Sequence, residues 1–393
     1  MSSAPSAFKR VLLISIPATV TVALVAAGCL EWWVRATADP RAGTPGLFLA
    51  DASRGQRLAP NYSGWFAGVP VRINNLGFRD ARDYRLDKDS RTFRILVLGD
   101  SVTFGHGSVY ETTYPYLLER RLAAWRSDVN WQVWNLGIPG YNTGQELSQL
   151  LDVGSTFLPD LVVVGFFEND LDGNATTANP GLLTRAATVV RNAVEPRLYS
   201  IGWYKRVYLT LAWRLSRHTA FHDRLDNLAA LEALALAAKA RSVSDDQQRL
   251  TDGLSRRAEG SRPCPPGLDP ESDRQATLLI DELRHTGRWD AWTGALEKFQ
   301  DLHRDGRYRI VFFLNTAPEA LEAEDLFCDA GTRRLNDYWL SLMARDTPAV
   351  SVYDEIGHYR PSQMPLAKGH SIGNTNRVKA DVLFDYLKPR LIF

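Results

Sequence analysis

Arg94-Ile-Leu-Val-Leu-Gly-Asp-Ser-Val-Thr-Phe-Gly-His-Gly107 decides the fold. Ile95 to Leu98 form a short apolar run of the length of one buried strand. Gly99-Asp100-Ser101 breaks it, and Gly105 and Gly107 keep the next loop open. A serine placed where a buried strand stops is presented at the rim of a sheet, where a nucleophile meets substrate. A strand-to-helix turn capped by Ser101 accounts for the same letters.

Three later segments have the same character. Trp131-Gln-Val-Trp-Asn-Leu-Gly-Ile-Pro-Gly140 reads as a strand running into a Gly/Pro turn. Gly140 can leave a bare backbone N–H aimed into a site, or be an ordinary turn glycine. Pro159-Asp-Leu-Val-Val-Val-Gly-Phe-Phe-Glu-Asn169-Asp170 is an apolar strand ending in a polar cluster. The Asn169 amide is a donor of the kind an oxyanion needs, or it closes an Asx turn. In Lys368-Gly-His370-Ser-Ile-Gly-Asn374, a histidine stands in a loop just before an amphipathic stretch that reaches Leu387.

Together these segments resemble the SGNH (GDSL-type) hydrolase family. Gly-Asp-Ser101 matches its nucleophile block, Gly140 and Asn169 the second and third blocks, and His370 the last. The similarity covers roughly residues 72–180 and 305–390 and is nearest to a membrane-linked bacterial branch. In that branch a segment like Ile73-Asn-Asn-Leu-Gly-Phe-Arg79-Asp precedes the nucleophile strand. The resemblance implies Ser101 as nucleophile and His370 as general base and then acid. It implies an oxyanion hole made by the Ser101 and Gly140 N–H groups and the Asn169 amide, with Asp100 supporting the turn. It also implies a fold: α/β, a flavodoxin-like parallel sheet in a three-layer α/β/α sandwich, with no metal or organic cofactor.

One position departs from the family. An aspartate three residues before the catalytic histidine is usual there; here the residue is Ala367, followed by Lys368. Asp354 and Glu355, at the end of the preceding strand, are the nearest upstream carboxylates that can orient the imidazole. A Ser–His dyad oriented by a backbone carbonyl and a weakened site are the other readings. His358, in Glu355-Ile-Gly-His358, competes for the base, but no helical pattern follows it directly.

The chain has 393 residues, 45% hydrophobic, with a net charge of +1, enough for a large core and without the basic excess that nucleic acid demands. Residues 11–30 carry no charge; Lys9 and Arg10 precede them and Glu31-Trp-Trp-Val-Arg35 follows. Twenty apolar residues span a bilayer as a helix, the basic flank predicts a cytoplasmic N-terminus, and the tryptophans suit the far interface. The expected location is therefore a single-pass membrane protein with its catalytic domain extracytoplasmic, periplasmic or on the outer face. Rival readings are a cleaved signal peptide and a lipoprotein processed at Ala26-Ala-Gly-Cys29, with Cys29 lipidated. Cys264 and Cys328 are the other cysteines; pairing needs an oxidising compartment.

The expected organisation is an anchor over 1–35, a connector over 36–70 joining an edge of the core, and a hydrolase-like domain over 71–393. A helical insertion over 171–305 interrupts that domain, entering beside the proposed site as a lid or a substrate wall, or else as a peripheral subdomain or a helix pair lying on the membrane. Strands are expected near 93–99, 131–137, 160–167, 308–314 and 349–354. Helices are expected near 113–126, 143–153, 333–345 and 376–388. The function expected is a membrane-anchored serine esterase removing acyl groups, acetyl above all, from an envelope glycan or related ester. The alternatives are an O-acyltransferase of the same fold acting on a polysaccharide, and a non-catalytic glycan-binding or assembly protein. The oligomeric state is not legible in the sequence.

Overall fold

The computed structural model describes residues 7–39, 41, 43–171, 180–204, 270–315, 330–356, 358–359, 364, 366–367 and 370–391. Cys264 and Cys328 lie outside the described residues. So do most of Trp203-Tyr-Lys-Arg-Val-Tyr-Leu-Thr-Leu-Ala-Trp213, whose aromatic spacing suits core, interface or a sugar-stacking surface, and the Ala/Leu-rich segment at 226–240.

Five parallel strands form the central sheet: β5 (Thr92–Gly99), β6 (Asn130–Asn135), β7 (Leu161–Phe166), β8 (Ile310–Leu314) and β9 (Ala349–Ser351). Their order is β6-β5-β7-β8-β9. The ladder sets Leu96 beside Trp134 on one side and Val162 on the other, and carries Val162 on to Ile310. Strands buried on both faces read as apolar runs, which is why β5, β7 and β8 were legible in the sequence. Side chains alternate across the sheet, so each strand feeds two cores. Leu96, Leu98, Val162, Val164 and Phe312 face one core; Ile95, Val97, Val163, Val311 and Phe313 face the other.

Helices cover both faces. Preceding them in the chain are α1 (Ala7–Thr37) and α2 (Ser101–Phe104), a single turn. α3 (Tyr114–Trp125) lies over one face through Tyr114, Leu118 and Leu122. α4 (Thr143–Phe157) lies over the other through Leu147, Leu150 and Phe157. Then come α5 (Leu182–Val194), α6 (Pro270–Arg284), α7 (Gly287–Arg304), α8 (Ala330–Met343), α9 (Tyr353–Ile356) and α10 (Asn374–Leu387). α7 and α8 join α4 through Trp292, Phe299 and Trp339; α10 joins α3 through Val378, Leu383 and Leu387. The result is the expected three-layer α/β/α sandwich; α5, α6 and α7 are the described helices within the 171–305 segment expected to be inserted, and α7 packs on the sheet through Trp292, Leu296 and Phe299 as part of one layer. The strand order reverses direction between β5 and β7, and ligands of such sheets bind at the carboxyl ends flanking that switch point.

The Gly/Pro-rich stretch before β5 is more structured than a connector. β1 (Phe48–Asp51) pairs with β2 (Gly55–Leu58), and β3 (Ser63–Phe66) with β4 (Val69–Arg72), as two antiparallel hairpins. Leu47, Leu58, Val69 and Ile73 pack on Phe104, Ile138 and Tyr141, which lie in the loops beyond β5 and β6. The hairpins thus close over the C-terminal end of the sheet. Two residues each of β10 (Leu366–Ala367) and β11 (His370–Ser371) form a last hairpin before α10. In α1, Ser15–Thr37 is apolar and long enough to cross a membrane, a test that a signal sequence also passes.

Candidate active site

Gly99 ends β5 with φ +154°, and a Cβ there would overlap the Thr103 side chain, so the chain can turn at once into α2. Asp100 caps that turn, accepting a 2.8 Å bond from the Val102 N–H. Ser101 is the first helical residue and is buried. Gly105 closes the turn in the left-handed conformation, its N–H donating to the Ser101 carbonyl at 3.0 Å.

Arg79 fixes the far side of this loop. Its guanidinium donates to the Phe104 carbonyl at 2.8 Å, the Gly105 carbonyl at 2.5 Å and the Ser108 carbonyl, and lies 4.6 Å over the Phe104 ring. Burial pulls its pKa down to about 10, which leaves it cationic at neutral pH. Asn74 shapes the preceding turn by accepting from the Leu76 and Phe78 N–H groups, each at 3.0 Å. The Ile73–Asp80 segment is therefore a clamp on the nucleophile loop.

His370 arrives from the other end of the chain. It stands on β11, paired across the hairpin with Ala367, and its Nε2 lies 2.8 Å from Ser101 Oγ. Ser101 Oγ is also 3.2 Å from Asp100 Oδ2. The hydroxyl has one proton, so donation to Nε2 requires the tautomer protonated on Nδ1. Ser108 ties the two loops together, donating to the Ser371 carbonyl at 3.2 Å and accepting from Asn376 at 3.0 Å. The His106 ring stacks on His370 with centroids 4.2 Å apart and planes 21° apart, and Phe66 meets His106 edge-on at 5.1 Å. Burial, then the neighbouring His370 and Arg79, push the His106 pKa down to about 3, so this ring is neutral when it flanks the base.

The turn after β6 supplies a second wall. Asn135 donates to the Thr103 carbonyl at 2.9 Å and accepts from the Gly137 N–H at 3.0 Å. Gly140 follows with φ +79°. Gln56, from β2, donates to the Pro139 carbonyl at 2.5 Å, and Tyr141 donates to the Gln56 carbonyl at 2.7 Å. Among the described residues, neither the Ser101 nor the Gly140 N–H has an acceptor. Asn169 lies in the single 3-10 turn (Glu168–Leu171) that follows β7; its expected amide-donor role falls on a side chain outside the described set.

Residues 97–258 match the GDSL-like Lipase/Acylhydrolase family. The chain carries a domain of that family. This makes its enzyme class an ester hydrolase, with Ser101, Gly140 and Asn169 inside the matched span and His370 beyond it. No curated protein sequence matches the chain. Among solved structures, an alpha/beta hydrolase from the metagenome of Lake Arreo, Spain, is 15% identical, with 75% of this chain and 95% of that one covered at a TM-score of 0.37. A GDSL-like lipase from Bacteroides thetaiotaomicron is 10% identical, covering 76% and 89% at 0.34. A two-domain esterase active on acetylated mannans is 12% identical; this chain covers 49% of its length, with a TM-score of 0.31.

Beneath the nucleophile of this GDSL-like domain lies a layer of buried ionisable groups. Glu146, on α4, is fully buried with no hydrogen-bond partner among the described residues for either carboxylate oxygen. Asp170 accepts from the Phe167 N–H at 3.1 Å through one oxygen. Burial, then repulsion from neighbouring carboxylates including Asp100, raises both well above the ordinary carboxylate value. Lys379, on α10, is fully buried with Nζ unpartnered; burial lowers it to about 7, against the attraction of Asp100. Helical periodicity gave no signal for these three.

The candidates for orienting His370 sit on α9. Asp354 is exposed, with 80% of its side chain accessible, and pairs with Arg333 at 3.5 Å. Glu355 is half-buried, and His358 lies just beyond, its N–H donating to the Glu355 carbonyl at 3.1 Å. Of the two competing histidines, His370 is the one brought to Ser101. Arg79, His106 and Asn135 are the site residues that sequence reasoning missed as such. His106 was visible in the Gly105-His106-Gly107 stretch and Arg79 in the segment ahead of β5.

Proposed function

We propose that this chain is a membrane-anchored serine esterase that removes acetyl groups from an envelope glycan on the extracytoplasmic side. The observation that carries this reading is the 2.8 Å contact between Ser101 Oγ and His370 Nε2 at the carboxyl end of β5. In the proposed reaction, Ser101 Oγ attacks the acyl carbonyl carbon while His370 Nε2 takes its proton. The negative oxygen of the tetrahedral intermediate accepts from the Ser101 and Gly140 N–H groups and the Asn169 amide, donors of which one alone is worth about 10²–10³ in rate. Collapse breaks the ester bond, and His370 returns the proton to the departing sugar oxygen. Water repeats the cycle on the acyl-enzyme, with the same base. Neutral His106, stacked on His370, holds the ring edge-on to the serine.

The compartment supports the substrate class. With α1 spanning the bilayer and Lys9 and Arg10 on the cytoplasmic side, the hydrolase domain faces the envelope. With Ala367 in place of the usual aspartate, the base acts as a Ser–His dyad or borrows a carboxylate from Asp354 or Glu355. The test uses the full chain in detergent with p-nitrophenyl acetate. Turnover that disappears in Ser101→Ala and in His370→Ala, with unfolding curves unchanged, supports the reading. Labelling of Ser101 by a fluorophosphonate without turnover turns it towards acyl transfer to a sugar hydroxyl. Absence of both overturns catalysis.

A further inference from the structure

Helix α5 is amphipathic the wrong way round for a helix of a soluble domain. Leu182, Leu183, Ala186, Val189, Val190 and Ala193 occupy one arc at helical spacing. The polar arc carries Asn192, whose side chain accepts from the Ala50 N–H at 2.7 Å and donates to the Ala50 carbonyl at 3.0 Å. The polar side is therefore the docked side, against β1, and the apolar arc points away from the domain. Leu182 is 83% exposed and Leu183 86%, and no residue of α5 is buried. A surface helix ordinarily turns such an arc inward.

The position of α5 identifies what covers that arc. The chain leaving α5 is bound to the last turns of α1: Glu31 accepts from the Tyr199 N–H at 3.1 Å and the Ser200 N–H at 2.9 Å. Arg35 donates to the Arg197 carbonyl at 2.8 Å and lies 5.1 Å over the Tyr199 ring. Trp33 meets Trp203 edge-on at 6.1 Å. Glu31, Trp33 and Arg35 directly follow the uncharged stretch of α1 that ends at Leu30. Trp32 at 72% and Tyr204 at 64% exposure stand at the same end, as aromatic side chains do at a membrane–water boundary. Exposed Arg185 borders the arc and exposed Arg197 follows the helix, both near the height of lipid phosphates, while Arg191 is paired with Glu195 at 3.0 Å on the polar side.

We propose that α5 is an interfacial helix, lying in the outer surface of the bilayer with its apolar arc among the acyl chains and its arginines at the headgroups. The inference rests on the reading of α1 as a membrane anchor. It carries a consequence for the site. Asn192 holds β1; the β1–β2 hairpin carries Gln56; and Gln56 holds the Pro139 carbonyl beside Gly140. The wall of the site that carries Gly140 is then braced from the membrane surface, within reach of esters borne close to it.

The test places the photoreactive residue p-benzoylphenylalanine at Leu183, Val190 or Thr184 of the full chain. Each variant is reconstituted in vesicles of phosphatidylethanolamine and phosphatidylglycerol, irradiated and analysed by mass spectrometry. The expected result is phospholipid adducts at positions 183 and 190, roughly tenfold more than at 184 on the polar side. Crosslinks from 183 and 190 to residues 205–269, or to a second copy of the chain, overturn the proposal by naming another occupant. Alkaline carbonate extraction of the same vesicles separates the two failures. A chain retained in the membrane without lipid adducts refutes the interfacial helix alone; a chain released refutes the anchor and the helix with it.

Discussion

Gly137 is where one methyl group tests the geometry most severely. It stands between β6 and the Gly140 turn and packs against the backbone of α2. A Cβ at this position would fall on the Phe104 backbone nitrogen, with the Thr103 carbonyl carbon at 2.7 Å and the Thr103 Cβ at 2.9 Å. Ordinary contacts begin near 3.4 Å, so α2 must retreat by roughly 0.7 Å or more, and backbone cannot swing aside as a side chain does. Ser101 opens that same single-turn helix. A displacement on the order of 1 Å costs about 10² in rate, and overpacking costs about 1–3 kcal/mol. Gly137→Ala is therefore expected to lose about 10² in kcat on p-nitrophenyl acetate while still folding, with a lower urea midpoint at unchanged slope. Gly140→Ala, at the proposed oxyanion-hole glycine, is the comparison for fold stability alone. Its Cβ meets only Gln56 Nε2 at 3.5 Å, so what remains is the strain of φ +79°, about 1–2 kcal/mol. If Gly137→Ala keeps more than about a third of wild-type kcat, the packing of this turn does not set the position of Ser101.

Arg79→Met removes the guanidinium donor from the Phe104, Gly105 and Ser108 carbonyls, of which Gly105 keeps the Ser108 N–H at 3.0 Å, an expected loss of about 3 kcal/mol in urea unfolding; an unchanged midpoint would show the clamp to be idle. Lys379→Met is expected to stabilise. The folded pKa near 7 lies below the unfolded 10.5, so the unfolded chain binds more protons between those values, and wild-type stability rises as pH climbs through that window. The gain over wild type is then largest near pH 7, on the order of 4 kcal/mol, and shrinks towards pH 10; a variant less stable than wild type at both pH values would contradict the burial of Nζ. Asp354→Ala is expected to leave kcat within about twofold, because that carboxylate is turned to solvent beside Arg333; a loss beyond about tenfold would make it the group that orients His370.

What the sequence disclosed depended on how local the signal was. Strands β5, β7 and β8 showed themselves as apolar runs because burial on both faces removes alternation. Ser101 and His370 lie far apart in the chain, and only the order of four short motifs connected them. The strands β1 to β4, four residues each, left no periodicity in a Gly/Pro-rich stretch, so their closure over the site was invisible. Arg79 reads as a turn residue until its three carbonyl acceptors are assembled from a loop about thirty residues on. Lys379 and Glu146 defeated the pattern in another way: each is a charged letter on a helix, and helical patterning assigns such letters to solvent. α5 exposes the deeper limit. Its spacing shows that the helix has an apolar and a polar face, but amphipathicity carries no sign for which face meets the protein. That sign is set by the bonds between Asn192 and Ala50, which dock the polar face and turn the apolar arc away from the domain, on the side where the chain is tied to α1 through Glu31, Tyr199 and Ser200.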